Sequence, residues 1–188
     1  ISREIFNLDH VVRSFLDFVR GHRFEIREVE LSHIFDSVRT LLAPAATERQ
    51  VTLVFDVAEN ARSVLGDAKL LERVFVNLIQ NAFDAMPSGG EVRVKSVCDG
   101  DECRISVTDS GAGIPEEIRE KIFQLYFTTK EGGTGIGLPT VFRIIQQHRG
   151  RVEVESAEGT GSTFHVWIPR ASVPLTGESE KKLEHAEP

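Results

Sequence analysis

Two stretches of strict alternation, each broken by a short polar turn, set the frame into which this chain must fold. "EVRVKSVC" and "CRISVTD" flank the acidic turn "DGDE" over residues 91–109, and "RVEVES" and "STFHVWIP" flank "AEGTG" near the C-terminal end. Alternation gives a strand one apolar face, and a short turn makes the two strands antiparallel neighbours. A further strand is expected at "VTLVFDV" (51–57) and a short one at "VEL" (29–31). Between them lie segments of helical period. One runs through "HIFDSVRTLLAPAATER", capped by Ser32 and kinked at Pro44; another covers 68–86, capped by Asp67. A short helix is expected near Pro115, and a last one from Gly137 to His148 with Gly150 as its C-cap. Strands joined largely by hairpins do not make a doubly wound sheet. The expected fold class is therefore α+β: a two-layer α/β sandwich with a mixed, mostly antiparallel sheet and helices on one face.

A single N-terminal helix precedes this unit. In "SREIFNLDHVVRSFLDFVR" (2–20), Ile5, Leu8, Val12, Phe15, Leu16 and Val19 form one apolar stripe, which suits packing against a partner outside the segment. Residues 171–188 are polar and aperiodic and read as a disordered tail. The chain begins at Ile1 and is expected to be a fragment. Its net charge of −7 disfavours a nucleic-acid or anionic-membrane surface, and no apolar run is long enough to span a bilayer, so no direct membrane contact and a cytoplasmic setting are expected. Cys98 and Cys103 flank the DGDE turn and face one another across it. They read as ordinary strand residues, kept reduced in such a setting.

Three constellations carry chemistry. In "NLIQNAFDAM", Asn77, Asn81 and Asp84 fall at i, i+4 and i+7 on one stripe, opposite Leu71, Val74, Phe75, Leu78, Ile79 and Ala82. Two asparagines in a helix interior cost helix stability, which points to ligand duty rather than a solvated face. In "DSGAGIP", Asp109 ends a strand, and Gly111 and Gly113 let the backbone approach a flat ligand such as adenine. In "FTTKEGGTGIGL", Thr128, Thr129 and Lys130 supply hydroxyls and a cation. The run Gly133, Thr134, Gly135, Ile136, Gly137, Leu138 then leads backbone N–H groups onto a helix N-terminus suited to phosphate.

In this order, over about residues 24–170, these segments resemble the ATP-binding catalytic domain of sensor histidine kinases, with the Bergerat fold shared by DNA gyrase, heat-shock chaperones and mismatch-repair ATPases. "NLIQNAFDAM" looks like the N box, "DSGAGIP" the G1 box, "IFQLYFTTK" the F box and "GTGIGLPTV" the G2 box. The resemblance implies ATP and Mg²⁺ as ligands. It makes Asn81 the Mg²⁺ ligand, places Asn77 and Lys130 beside the phosphates as catalytic residues, and gives Asp109 the adenine amine. It sets Gly111 and Gly113 near the base, Thr129 and 133–138 in the lid and its hinge, and brings Thr163 to the adenine pocket. The hydrolytic relatives carry glutamate where Asn77 stands. An amide cannot deprotonate water, so phosphoryl transfer is favoured over a hydrolysing clamp or a non-catalytic nucleotide sensor.

Residues 1–23 look like the second helix of the family's dimerisation and phosphoacceptor hairpin, 24–170 like the catalytic domain. None of the six histidines (His10, His22, His33, His148, His165, His185) has the acceptor context. The implied partners are the chain's own phosphoacceptor domain, in a homodimer, and a response-regulator receiver domain. Leu125 stands where the F box often has proline, Pro139 follows "GIGL" where a small residue is usual, and the role of Asp84 is open.

Overall fold

The computed structural model describes residues 24–130 and 132–171. The expected helix over 2–20, the tail from 172 onward and His10, His22 and His185 lie outside them. In chain order the elements are β1 (Arg27–Glu30), α1 (Leu31–Glu48), β2 (Val51–Val57), β3 (Ser63–Gly66), α2 (Ala68–Ala85), β4 (Gly90–Asp99), β5 (Glu102–Asp109), α3 (Glu116–Arg119), α4 (Gly137–Gln147), β6 (Arg151–Ala157) and β7 (Gly161–Pro169). Five strands make one sheet in the order β2-β4-β5-β7-β6. Its β2–β4 pair is parallel and the other pairs are antiparallel. β1 and β3 form a separate antiparallel ribbon.

Alternation decides which face is covered. Val92, Val94, Ile105, Val107, Phe164, Val166 and Ile168 are buried, while Arg93, Lys95, Arg104 and Thr108 between them are exposed. α1 and α2 lay their apolar stripes on the buried side, and the Phe35 ring meets Phe75 edge-on at 5.2 Å. Each such side chain, taken from water to full burial, contributes about 1.5–3 kcal/mol. α4 adds Val141, Ile144 and Ile145 to the same core. This is the expected sandwich, with all long helices on one face.

Several local expectations need correction. Glu30, not Ser32, is the N-cap of α1 and makes no side-chain cap; the Leu31 amide instead donates to the Arg62 carbonyl at 2.7 Å. Helix α1 runs unbroken past Pro44 to Glu48. At the end of α4, Arg149 takes the left-handed conformation (φ 57°) expected of Gly150. Gly150 answers a different need, since any Cβ there would collide with the Trp167 carbonyl oxygen. Cys98 and Cys103 are not free strand residues. The β4–β5 register sets them directly opposite, with Cα atoms 4.0 Å apart, and they are joined as a disulfide.

One buried histidine ties the helices together at the end away from the G1 loop. His148, 1% exposed, accepts a hydrogen bond from the Asp67 amide at Nε2 (2.9 Å), and its Nδ1 faces the Ile144 carbonyl at 2.7 Å. The neutral ring with its proton on Nδ1 satisfies both contacts. The Phe24 ring packs edge-on at 5.0 Å, and the Asp67 carboxylate is the acidic group nearby. Burial pulls the imidazole below its ordinary pKa, more than the Ile144 carbonyl and Asp67 raise it. The folded state therefore resists a proton that the unfolded chain accepts. This contribution is complete above the unfolded value, roughly 6.5, and is lost as pH falls through it toward the depressed folded value. Thermal midpoints measured from pH 7.5 to 5.5 (roughly spanning that range) should fall more steeply in the wild-type chain than in His148→Gln.

Candidate functional site

Asp67 starts the first wall of the site. Its Oδ1 accepts from the Lys69 and Leu70 amides, so α2 begins in register, and Asn77, Asn81 and Asp84 emerge on the side away from the core. Asn77 turns its Nδ2 back onto the Arg73 carbonyl (2.8 Å), which leaves Oδ1 toward Gly137 at the head of α4. A Cβ on Gly137 would stand 3.3 Å from that oxygen. The first and fourth boxes of the sequence thus touch across a tight gap.

Asp109 closes the opposite wall at the end of β5. It is 6% exposed, and the Gly111 amide (2.8 Å) and Ser162 amide (3.3 Å) both donate to its Oδ1. That arrangement leaves Oδ2 for an incoming donor. Burial pushes this carboxyl above the ordinary carboxylate range, while the two amides and the Lys130 charge pull the other way. The following loop is stitched down: the Ala112 amide donates to the Ala85 carbonyl (3.1 Å) and the Ile114 amide to Ser156 Oγ (2.8 Å). Gly113 sits at φ 74°, and a Cβ there would run into the Ala157 carbonyl oxygen. A larger residue fits neither the angle nor the space.

Between the walls lies a cavity of about 440 Å³, within the range of small-ligand sites. Ile114, Ile118, Ile122, Phe127, Leu138 and Phe164 give it an apolar flank. Its other end holds Asn77, Asn81, Asp84, Lys130 and the glycine-rich segment. Here the lid folds back through Tyr126 N–H to the Gly135 carbonyl (2.9 Å) and Lys130 N–H to Thr128 Oγ1 (3.1 Å). Helix α4 starts at Gly137 with no side-chain cap and no acidic residue in its first turn, so its N–H groups face the cavity unopposed. Pro139 costs nothing there, because first-turn amides have no intrahelical partner.

The Lys130 ammonium lies 2.9 Å from both Asn81 Oδ1 and Asp84 Oδ2, and Arg49 Nη1 holds Asp84 Oδ1 at 2.9 Å. These two oxygens converge on one cation, and an amide oxygen beside a carboxylate is a donor set that fits Mg²⁺. That ion keeps much of its water and takes few protein ligands when phosphate supplies the rest.

All the predicted residues but two line the cavity. Gly111 stands behind it, donating to Asp109. Thr163 is a correction: it points to the outer face of the sheet, where its Oγ1 bonds Thr108 Oγ1 at 3.0 Å. The side chains on the cavity face are Ser162 and Phe164. The two-residue period of β7 carried this information, since buried Phe164 fixes 162 inward and 163 outward. Arg73, Gln80, Thr140 and the isoleucines of 114–122 also line the site. Gln80, Ile114, Ile122 and Thr140 lie inside the boxes but carry no polar pattern of their own that singles them out, and Arg73 and Ile118 have no signal beyond proximity to the boxes.

The family described as "Histidine kinase-, DNA gyrase B-, and HSP90-like ATPase" matches residues 66–172. Sensor histidine kinase ZraS of Escherichia coli (strain K12) is 36% identical over 169 residues, covering 90% of this chain and 36% of that protein. The chain thus spans well under half the length of such relatives, 36% of this one and 23% of sporulation kinase E of Bacillus subtilis. Among solved structures, the catalytic domain of histidine kinase ThkA superposes with a TM-score of 0.71 at 33% identity, covering 78% of this chain and 96% of that one. Full-length ShkA in complex with AMPPNP gives 0.78 at 27% identity, covering 89% and 37%.

Proposed function

Because this chain belongs to the histidine kinase-, DNA gyrase B- and HSP90-like ATPases, we propose that it is the ATP-binding catalytic domain of a two-component sensor histidine kinase. It transfers the γ-phosphoryl group of ATP to a histidine on a helical hairpin: the bond from the γ-phosphorus to the bridging oxygen breaks, a phosphorus–nitrogen bond forms, and ADP departs. One observation carries the nucleotide reading. Asp109 is anchored through one oxygen at an apolar cavity whose far end combines amide oxygens, a lysine and a free helix N-terminus.

Asp109 Oδ2 accepts the adenine amine, and the isoleucine and phenylalanine flank covers the faces of the base. Gly113 admits the base close to the backbone, and Ser162 rather than Thr163 is the hydroxyl on that side. Asn77, the amides of 135–138 and Lys130 act on phosphate oxygens. Thr129 and the glycines of the lid let that segment close over them. Asn81 would hold Mg²⁺ through its Oδ1, and the ion would supply charge neutralisation on the phosphates. Transfer of this kind needs positioning and neutralisation more than covalent chemistry. Asn77 in place of a carboxylate supports transfer over hydrolysis, since no general base faces the γ-phosphate from that position.

The proposed organisation assigns 1–23 to the end of a dimerisation and phosphoacceptor hairpin and 24–170 to the catalytic domain. A response-regulator receiver domain takes the phosphoryl group onward; ThkA, a solved relative, has been seen in complex with the response regulator TrrA. A cytoplasmic setting is proposed with it, one in which the Cys98–Cys103 disulfide would be open to reduction. Among the described residues, no helix is long and apolar enough to cross a membrane.

The test is Asn81→Ala. With its Oδ1 removed, ATP binding should weaken by at least about tenfold in Mg²⁺ and lose most of its metal dependence. Calorimetry showing wild-type affinity and metal dependence in this variant would overturn the site assignment.

A further inference from the structure

The ion pair between Lys130 and Asp84 differs from an ordinary surface contact. Solvated pairs contribute roughly 0–1 kcal/mol and are seldom held from two sides. Here the ammonium has two oxygen partners one helical turn apart, Asn81 Oδ1 and Asp84 Oδ2, each at 2.9 Å. The carboxylate is divided as well. Its Oδ1 is braced by Arg49 at the C-cap of α1, which turns Oδ2 toward the cavity. A carboxylate at the phosphate end of an anion site opposes a triphosphate unless a cation stands between them. This one has such a cation beside it, the ammonium of Lys130 in the glycine-rich segment.

We propose that Asp84 completes, with Asn81, the seat of the nucleotide's Mg²⁺, and that Lys130 is a built-in cation that fills this seat until the metal arrives. The inference rests on the proposed nucleotide site. Both cations need Asn81 Oδ1 and the space beside Asp84 Oδ2, so they exclude one another. Arrival of Mg²⁺ with ATP releases Lys130 from α2, and the freed ammonium turns to the phosphates. Asp84, fixed by Arg49, acts on the metal through its water shell, as outer-sphere carboxylates do. It is a positioning residue for the metal and, through it, for the lid.

Calorimetric titration of ATP with and without Mg²⁺ (with EDTA) tests this. The readout is the ratio of the two affinities in the wild type, Asp84→Asn and Arg49→Met. In Asp84→Asn the ratio should fall by about tenfold. Affinity in EDTA should rise, because Lys130 is no longer held by the carboxylate and is free to turn to the triphosphate. A purely structural role would lower both affinities together and leave their ratio alone. Arg49→Met keeps the carboxylate but removes its brace, and should shift the ratio the same way by a smaller factor. An Asp84→Asn ratio equal to the wild type overturns the proposal, as does a parallel loss of both affinities. If Asp84→Asn folds poorly, an unchanged ratio in Arg49→Met overturns it. A wild-type chain that binds ATP with no Mg²⁺ enhancement also overturns the proposal, whereas one that binds no ATP sinks the nucleotide site on which it rests.

Discussion

Asp109→Asn should cost about 100-fold or more in ATP affinity while leaving the fold at least as stable as before. The amide keeps the acceptor that the Gly111 and Ser162 amides use. It turns a second acceptor into a donor at the point where the adenine amine arrives, so two donors meet. The stability side follows from burial. A carboxyl whose folded pKa is raised contributes most when protonated, and that contribution is lost as pH rises through the raised value. At neutral pH the charged form is the costly one, and the neutral amide removes that cost. Guanine presents a carbonyl where adenine has its amine, so the variant should also narrow the preference for ATP over GTP. Competition binding and thermal unfolding on the same protein check both halves. Unchanged ATP affinity would remove Asp109 from the base-binding site.

The second large effect is kinetic. Lys130→Met should slow phosphoryl transfer to a histidine-bearing hairpin, supplied in a longer chain or in trans, by about 10²-fold. ADP affinity should change far less, because the charge is aimed at a phosphate that ADP lacks. The phosphoryl group should be acid-labile and base-stable, and the 188-residue chain alone should stay unlabelled. Acid-labile phosphate on any of its own histidines would show that the acceptor has been misplaced.

What could be read from the residues depended on how local the cause was. Helix α2 was legible because Asp67 caps it and its two faces are chemically distinct, and the hairpins were legible from alternation and turn residues. Strand β3 was not. "SVLG" is too short to show a period, and its strand character comes from pairing with β1, whose Glu30 lies opposite Ser63. Sequence alone puts the left-handed residue after α4 at glycine, which tolerates positive φ without strain. The chain instead places Arg149 there, because Gly150 is needed where Trp167 presses on the backbone. The role of Asp84 was open for a similar reason. Its partners, Arg49 and Lys130, come from 35 residues before and 46 after it, and no window on the chain brings them together. Thr163 is the instructive miss, since family resemblance pointed to the right turn and strand periodicity would have moved the assignment by one residue.

The strand order also governs how the protein can be made. β5 lies at the centre of the sheet, yet one of its two neighbours, β7, is the last strand of the domain to leave the ribosome. Until residues 161–169 emerge, β5 carries an unpaired edge beside its apolar face, the sort of surface that recruits other chains. Asp109 meanwhile lacks the Ser162 amide that helps to fix its carboxylate. A nascent chain therefore completes the proposed base-binding pocket with the same strand that seals its sheet. On that proposal, nucleotide can be held only by a polypeptide whose catalytic domain has been synthesised to the end.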